Sequence, residues 1–338
     1  ELPTDTFLTF VASLVAVDFI AYWGHRCEHE VNIFWSSHSV HHSSESFEIT
    51  VSARLSATQN IIVKVFNAPL ALVFHPVVIL FQSQLGLLYQ GWIHTDLVGK
   101  LGVLDYIFNT PSNHRVHHGS TKECIDKNFG ELLMVWDHIF NTYQPEIGPT
   151  NYGLTTPSDT CSPLEHQFRP FINILERLRH TEGILNKFKV VFYGPGWCPG
   201  KPRLGDPADH PEYDPNKKSL SVEFNVLIKV YVTFHMLSLL EIVVKYFLCN
   251  RDGGALFVST GVLISMAILS LDLITRSSRH TSAFEICRCL MSIFILGFVP
   301  GYPTGASLHF QVIIYIVSIP YIVFYQMNYV DYVKKKLE

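Results

Sequence analysis

Long apolar runs crowd both ends of the chain, and a middle stretch of short ones separates them. Residues 7–23, FLTFVASLVAVDFIAYW, are apolar apart from Asp18 and two small hydroxyl residues. A bilayer core needs about 20 helical residues, so this run nearly crosses by itself. Residues 59–93 are also hydrophobic, but Asn67, Pro69, His75 and Pro76 interrupt them. Proline ends or kinks a helix, so the pattern predicts two helices with a break near 67–76, the second delivering His94 to its end. His75, just before Pro76 and without a partner at ligand spacing, reads as a turn residue. From Thr95 to about Leu220 the apolar runs shorten and Pro, Gly and charge multiply, which predicts a water-facing cap. Beyond Ser221, runs at 222–248, 255–275, 283–299 and 307–327 predict four further membrane helices. Within the first of these, Glu223 and Lys229 lie near the start, and Glu241 and Lys245 stand four apart, the spacing of a helical ion pair. The pattern divides the chain into 1–58, 59–97, 98–220 and 221–338. The expected fold is all-α, a multi-pass membrane helical bundle with a helical and irregular cytosolic cap.

Composition supports the membrane reading. Charged residues make up 16% of the 338 and aromatics 13%, while the net charge is only −4. With no basic stripe, nucleic acid is not an expected partner. The seven cysteines are odd in number and scattered, with no C-x-x-C pair, and read as reduced thiols in or beside the cytosol. The tail YVKKKLE is basic enough to sit on the cytosolic side. The chain opens on Glu1, close to a hydrophobic run and without a basic leader, and is expected to lack upstream membrane helices.

Histidine changes the picture from fold to chemistry. His25 and His29 form H-x-x-x-H; His38, His41 and His42 form H-x-x-H-H; His114, His117 and His118 repeat that register. Residues three and four apart share a helix face, so each cluster converges. Neutral imidazole is the commonest protein metal ligand. With His94 there are nine donors, too many for one tetrahedral zinc and suited to two metals with four or so apiece. Ligand type alone leaves Zn, Cu, Fe and Ni open. Asp18 lies on the stripe of Tyr22, His25 and His29, and is expected to hold a ligand histidine by its other ring nitrogen. Cys27 points off that face. Lys201 and Arg203, in the Gly- and Pro-rich 194–205, offer cations to an anionic head group or simply pack a surface loop. His235, His280 and His309 are isolated and read as packed or interfacial residues. All nine clustered histidines fall at or just outside the ends of hydrophobic segments. That placement favours oxygen chemistry on an unactivated C–H bond over hydrolytic zinc, for which Glu30 and Glu45 would be the available bases.

The strings H-R-C-E-H-E (25–30), H-H-S-S-E (41–45), L-L-Y-Q-G-W-I-H-T (87–95), N-T-P-S-N-H-R-V-H-H-G (109–119) and C-I-D-K-N (124–128) are more specific than the spacing. They resemble the fatty acid hydroxylase/sterol desaturase superfamily of membrane di-iron oxygenases, and within it the pterin-dependent branch that cleaves ether lipids. The resemblance covers nearly the whole chain. It implies two non-haem irons on the nine histidines, with O2 and tetrahydrobiopterin as co-reactants and an alkylglycerol as substrate. It further implies an endoplasmic reticulum membrane location with the active site facing the cytosol. By the same resemblance Glu30 becomes a catalytic carboxylate on the pterin side, and Arg54 a contact for an anionic group of cofactor or substrate. The chain departs from the family pattern after H-H-S-S-E: Glu48, Val51 and Leu55 stand where Asn, Thr and Gln are usual. Two rival readings remain open, a fatty acid or sterol hydroxylase or desaturase fed by cytochrome b5, and a non-catalytic metal-binding membrane protein.

Overall fold

The computed structural model describes residues 2–156, 158, 160–220, 224–248, 254–299, 302 and 308–322. Among these, every regular element is helical, and the one isolated β-bridge joins Phe108 to Leu133. The chain forms two compact units. One holds residues 1–159 and 166–220, the other 160–165 and 221–338. The basic tail and Glu223 lie outside the described residues.

The first unit begins with α1 (Phe7–Glu30), whose start is capped by Thr6 Oγ1 accepting from Thr9 N at 3.1 Å. A hydroxyl there satisfies one of the backbone donors that a helix N-terminus leaves free. The helix changes character along its length. Phe7, Leu8 and Phe10 are exposed, while Asp18, Tyr22, Glu28 and His29 are buried. A single extended residue, Val31 (φ −127, ψ 115), ends α1 and starts α2 (Asn32–His42). So short a joint folds α2 back beside α1 and makes the first two histidine clusters neighbours. α2 buries mostly serine and histidine, with Asn32 and Val40 beside them: Ser36, Ser37, His38, Ser39, His41 and His42 are all in the interior.

The predicted break in the second hydrophobic region is present. α3 (Gln59–Asn67) runs into a 3-10 turn over Ala68–Leu72, and α4 (Pro76–Ile93) follows. His75 caps α4 by accepting from Val77 N, the turn role expected of it. α4 packs on α1 through Val17, Phe74 and Ile79. Gln82 Nε2 adds a polar tie by donating to Phe10 O and Ser13 Oγ, both at 3.1 Å. Short helices then thread an irregular stretch: α5 (Val103–Ile107), α6 (Pro111–His118) and α7 (Val135–Ile139). α6 starts on Pro111, a residue that needs no N–H partner in the first helical turn. Two longer helices follow, α8 (Pro163–His180) and α9 (Ile184–Phe192), packed together through Ile174 and Val190 with Trp197.

The second unit is a bundle of α10 (Val226–Leu248), α11 (Gly254–Thr275), α12 (Thr281–Phe298) and α13 (Leu308–Ile322). Its core includes Ile242, Leu256, Leu263, Leu296 and Tyr315. The Glu241–Lys245 pair forms as its spacing predicts. Among the described residues four helices, α1, α10, α11 and α12, are long and apolar enough to cross a membrane. α4 is not among them.

Candidate metal centre

The nine histidines divide into two groups. His25, His29, His38, His42 and His117 offer ring nitrogens all within 4.8 Å of one another, and His41, His94, His114 and His118 do the same. The repeated H-x-x-H-H register explains the split. In α2 the i, i+4 pair His38/His42 enters the five-membered group and His41 turns to the other. In α6 the pair His114/His118 joins the four-membered group while His117 crosses to the first. Each H-x-x-H-H box thus feeds both groups, locking them side by side, while His25 and His29 both enter the first. Cys27 belongs to neither.

The nitrogen separations carry a chemical message. His38 Nε2 lies 3.1 Å from both His25 Nε2 and His42 Nε2. His94 Nε2 lies 3.2 Å from His41 and His118 Nε2 and 2.9 Å from His114 Nε2. One ring N–H can donate only once, so the remaining contacts would bring lone pair against lone pair. A cation between them removes that repulsion. With metal–nitrogen bonds of about 2.1 Å, adjacent donors stand about 3.0 Å apart in an octahedral shell and about 3.4 Å in a tetrahedral one. Moreover, His29 Nε2 and His117 Nε2 are buried with no hydrogen-bond partner. Buried polar atoms without partners are costly, and a metal is what these would bind. The donor set fits two ions.

On three of the rings the other nitrogen is engaged by a backbone carbonyl, and that engagement aims the ring. His25 Nδ1 donates to Phe129 O at 3.0 Å, His117 Nδ1 to Lys127 O at 2.9 Å and His94 Nδ1 to Gln90 O at 2.7 Å. Donation from Nδ1 leaves the Nε2 lone pair free for a metal. Two of these carbonyls lie in the segment around C-I-D-K-N, where Asp126 (φ 57) and Asn128 (φ 55) adopt the left-handed conformation. Asp and Asn tolerate that region better than most residues, which is how the chain turns successive carbonyls toward two rings. Asp137 fixes the turn from behind, accepting from Phe129 N at 2.8 Å and Gly130 N at 2.7 Å.

The acidic residues are not placed as expected. Asp18 reaches no histidine. Its carboxylate accepts from Leu132 N and Trp136 Nε1, both at 2.9 Å, and so braces the 129–137 turn that supports His25. Depth in the helix explains this, since Asp18 lies two turns before His25. The carboxylate that does meet a ring is Glu28, with Oε2 3.2 Å from His38 Nδ1, and Gln59 Nε2 donates to both of its oxygens at 2.7 and 2.8 Å. Asp126 Oδ1 stands 3.5 Å from His29 Nδ1. Sequence reasoning missed Glu28 because it is adjacent to His29 and off the His25/His29 stripe; the sharp α1–α2 turn brings α2 to it. Glu30, expected as a catalytic carboxylate, is in neither group: Arg26 and Arg203 both pair with it. Arg54, expected at cofactor or substrate, donates to Val40 O at 3.2 Å and Ser43 Oγ at 2.9 Å, holding the end of α2. Lys201 pairs with Asp209.

Electrostatics and packing keep seven of the imidazoles neutral. Burial, then neighbouring imidazoles, pushes His38, His42, His114 and His118 well below the usual value of 6.5. Burial and then His94 and His25 do so for His41, burial and then His25 and His29 for His117, and burial takes His94 to about 4. Phe47 covers the four-membered group, its ring centroid 5.6 Å from His94 and 5.3 Å from His118, and stacks in turn on Tyr152 at 5.3 Å.

A helical membrane protein that folds three histidine boxes into two all-imidazole groups has the architecture of a membrane metal-dependent oxygenase. The family model for fatty acid hydroxylases matches residues 10–142, a span that holds all nine ligand candidates. The chain belongs, more narrowly, to the alkylglycerol monooxygenase family, and is an enzyme of that family. It is 38% identical over 312 residues to the alkylglycerol monooxygenase of Homo sapiens, covering 91% of this chain and 69% of the relative. Against the alkylglycerol monooxygenase of Danio rerio it is 39% identical over 305 residues, covering 89% of this chain and 68% of that one. An ornithine lipid hydroxylase of Rhizobium tropici is 29% identical over 149 residues, 43% of this chain and 45% of its own length. No solved structure matches.

Proposed function

We propose that the two histidine groups each hold an iron ion and that the enzyme hydroxylates the ether-linked carbon of alkylglycerols with O2 and tetrahydrobiopterin. One oxygen atom enters the C–H bond beside the ether oxygen, and the pterin supplies the two electrons that the second oxygen atom requires. The resulting hemiacetal collapses to a fatty aldehyde and the free glycerol hydroxyl. The observation that carries this reading is the match to alkylglycerol monooxygenases across 91% of the chain. Iron suits a neutral all-imidazole donor set, and bound there it supplies the redox steps that activate O2.

The chain's own residues define the setting. Nine imidazole ligands bring no negative charge, so the site leaves the ions their full positive charge. The second group offers one donor fewer and is the side on which exogenous ligands find room; Phe47 and Tyr152 screen it from water. On the pterin side we retain Glu30, whose carboxylate, braced by Arg26 and Arg203, matches the amino-pyrimidine edge of a pterin. The reading places the enzyme in the endoplasmic reticulum membrane with the site facing the cytosol. The free thiols of Cys27, Cys124 and Cys198 suit that reducing side.

The test is incubation of the purified enzyme with a labelled alkylglycerol, with and without tetrahydrobiopterin, followed by aldehyde detection. Aldehyde is expected only with the pterin. Product formed with cytochrome b5 and its reductase alone would overturn the assignment in favour of a fatty acid or sterol hydroxylase. Stoichiometric zinc without iron after anaerobic purification would remove the oxygenase reading altogether.

A further inference from the structure

α8 and α9 carry an apolar face that nothing described in the protein covers. Their inner faces are accounted for: Ile174, Val190 and Trp197 form a small core, with Ile33 of α2 packed against it. Asn32 bolts α9 to the start of α2, donating from its backbone N to Tyr193 O at 2.9 Å and from Nδ2 to Val190 O at 2.8 Å. The opposite side of each helix is different. Phe168, Ile172 and Leu175 recur on α8 at i, i+4 and i+7, one helical stripe, and all three are exposed. On α9, Ile184 is 86% exposed, Leu185 63% and Phe188 54%. Such residues at amphipathic spacing are too apolar for a water-facing cap.

Charge identifies the occupant. Along α8 and α9, residues 163–192, there are five Lys or Arg against three Glu, in a chain whose net charge is −4. Arg169 and Arg179 border the apolar stripe of α8, Arg169 also within 3.6 Å of Glu176, and Lys187 borders that of α9, while Lys189 reaches back over the rings of Tyr193 and Trp197. Apolar stripes flanked by cations are the pattern of helices that lie in the head-group layer of an anionic bilayer. A bilayer is already at hand, because α1 of the same unit is long and apolar enough to cross one.

We infer that α8 and α9 form a monotopic foot that lies in the interface of an anionic lipid leaflet, so the segment is not wholly water-facing as its composition suggests. Through Asn32 and Ile33 the foot connects directly to the helix that carries His38, His41 and His42. It sets the depth of that helix against the leaflet from which an amphiphile would come. This inference uses no property of the metals and stands apart from the assigned substrate.

The experiment places an environment-sensitive fluorescent amino acid at position 172, 188 or, on the polar face of α8, 173, in the full chain reconstituted into phosphatidylcholine bilayers with or without phosphatidylserine. Nitroxide lipid should quench positions 172 and 188, and water-soluble acrylamide should quench 173. Phosphatidylserine should strengthen the lipid quenching. Arg179→Glu with Lys187→Glu should lower the local affinity for the anionic bilayer by roughly 25-fold, since each of the two cations near such a surface contributes roughly fivefold, about 1 kcal/mol. Acrylamide reaching 172 and 188 as freely as 173 would overturn the inference. So would shielding of 172 and 188 from both quenchers, which would mean that protein covers the face. Lipid quenching indifferent to phosphatidylserine would overturn the anionic assignment. Metal content of each variant reports whether it has folded.

Discussion

Two buried polar clusters lie within helices of this protein, and they are built on opposite principles. In the second unit, Arg288 donates to Glu285 at 2.7 and 2.9 Å and to Tyr231 Oη at 3.1 Å. His235 lies 3.3 Å from Arg288 Nη2 through Nδ1 and 2.8 Å from Ser318 Oγ through Nε2. Tyr231 in turn donates to Glu285. Every charged or ring atom there meets a partner of opposite polarity. In the histidine assembly, donors of one kind face one another, and His29 Nε2 and His117 Nε2 meet nothing. A closed network is complete as it stands and acts as a clamp between helices. An open one composed of like groups is incomplete without a ligand. Burial and histidine content alone do not separate the two cases; closure does.

The largest expected effect follows directly. His38→Ala or His117→Ala should abolish ether cleavage and lower bound iron from two per chain to one or none, whereas His235→Ala should leave both irons in place. Metal analysis of the three purified variants checks this, and full iron with full activity in either ligand variant would break the contrast.

Acid should act on one cluster before the other. Seven of the nine imidazoles are held below 6.5 in the folded protein, and unfolding returns them to about that value. The unfolded chain then binds more protons, so stability is present above 6.5 and falls as pH drops below it. One unit lower, each ring withdraws roughly 1.4 kcal/mol. Metal retention and melting temperature should fall together between pH 7 and 5. A flat melting temperature over that range would contradict neutral rings in the folded site.

Next comes the clamp. Arg288→Ala leaves Glu285 buried beside an empty position, and breaking such a pair costs about 3–5 kcal/mol. Arg288→Met combined with Glu285→Leu should cost less than the single change, because it removes the charge as well as its partner. Denaturant unfolding in micelles measures both. An equal loss in the double variant would mean that packing, not charge, is what the cluster provides.

How far the sequence could be read follows the same division. Period and spacing are local, so the membrane runs, the break at 67–76 and the nine histidines were legible from residues alone. The register H-x-x-H-H contained the division into two groups, yet which ring turns which way depends on how α2 and α6 face each other. Positions that act through the fold were not legible. Asp18 shares a stripe with His25 and His29 but lies too deep to touch a ring, while Glu28 is off that stripe and meets His38 only because the turn at Val31 brings α2 to it. Asp137 and Asn128 have no spacing signal at all; their work is to shape a loop around carbonyls.

That makes Glu28 the sharper test of ring support. Carboxylates behind a ligand histidine raise its basicity and fix its orientation, and losing one typically lowers metal affinity about 10–100-fold. Glu28→Gln keeps the contact with Gln59 while removing the charge, so iron should leave faster to a chelator. Glu28→Asp should recover part of the affinity. A purely structural role predicts that Gln, the closer match in shape, is the milder change; if Asp proves worse than Gln in chelator release, Glu28 is packing and not orientation.

The smallest effect is expected at Glu30, and it is the one that distinguishes holding a loop from meeting a cofactor. Its carboxylate ties Arg26 of the same helix turn to Arg203 of the Gly- and Pro-rich loop. If the pair serves only the loop, Glu30→Gln should lower stability slightly and shift both KM values alike, because half-exposed ion pairs contribute little, about 0–1 kcal/mol. If the carboxylate also meets the pterin, the KM for tetrahydrobiopterin alone should rise severalfold while that for alkylglycerol and the iron content stay put. Arg203→Gln is the control: it removes the loop contact but leaves the carboxylate, so it should reproduce the first outcome and not the second. Equal KM shifts for both substrates in Glu30→Gln would assign the residue to the loop, and the pterin contact would then have to be sought elsewhere around α1 and α2.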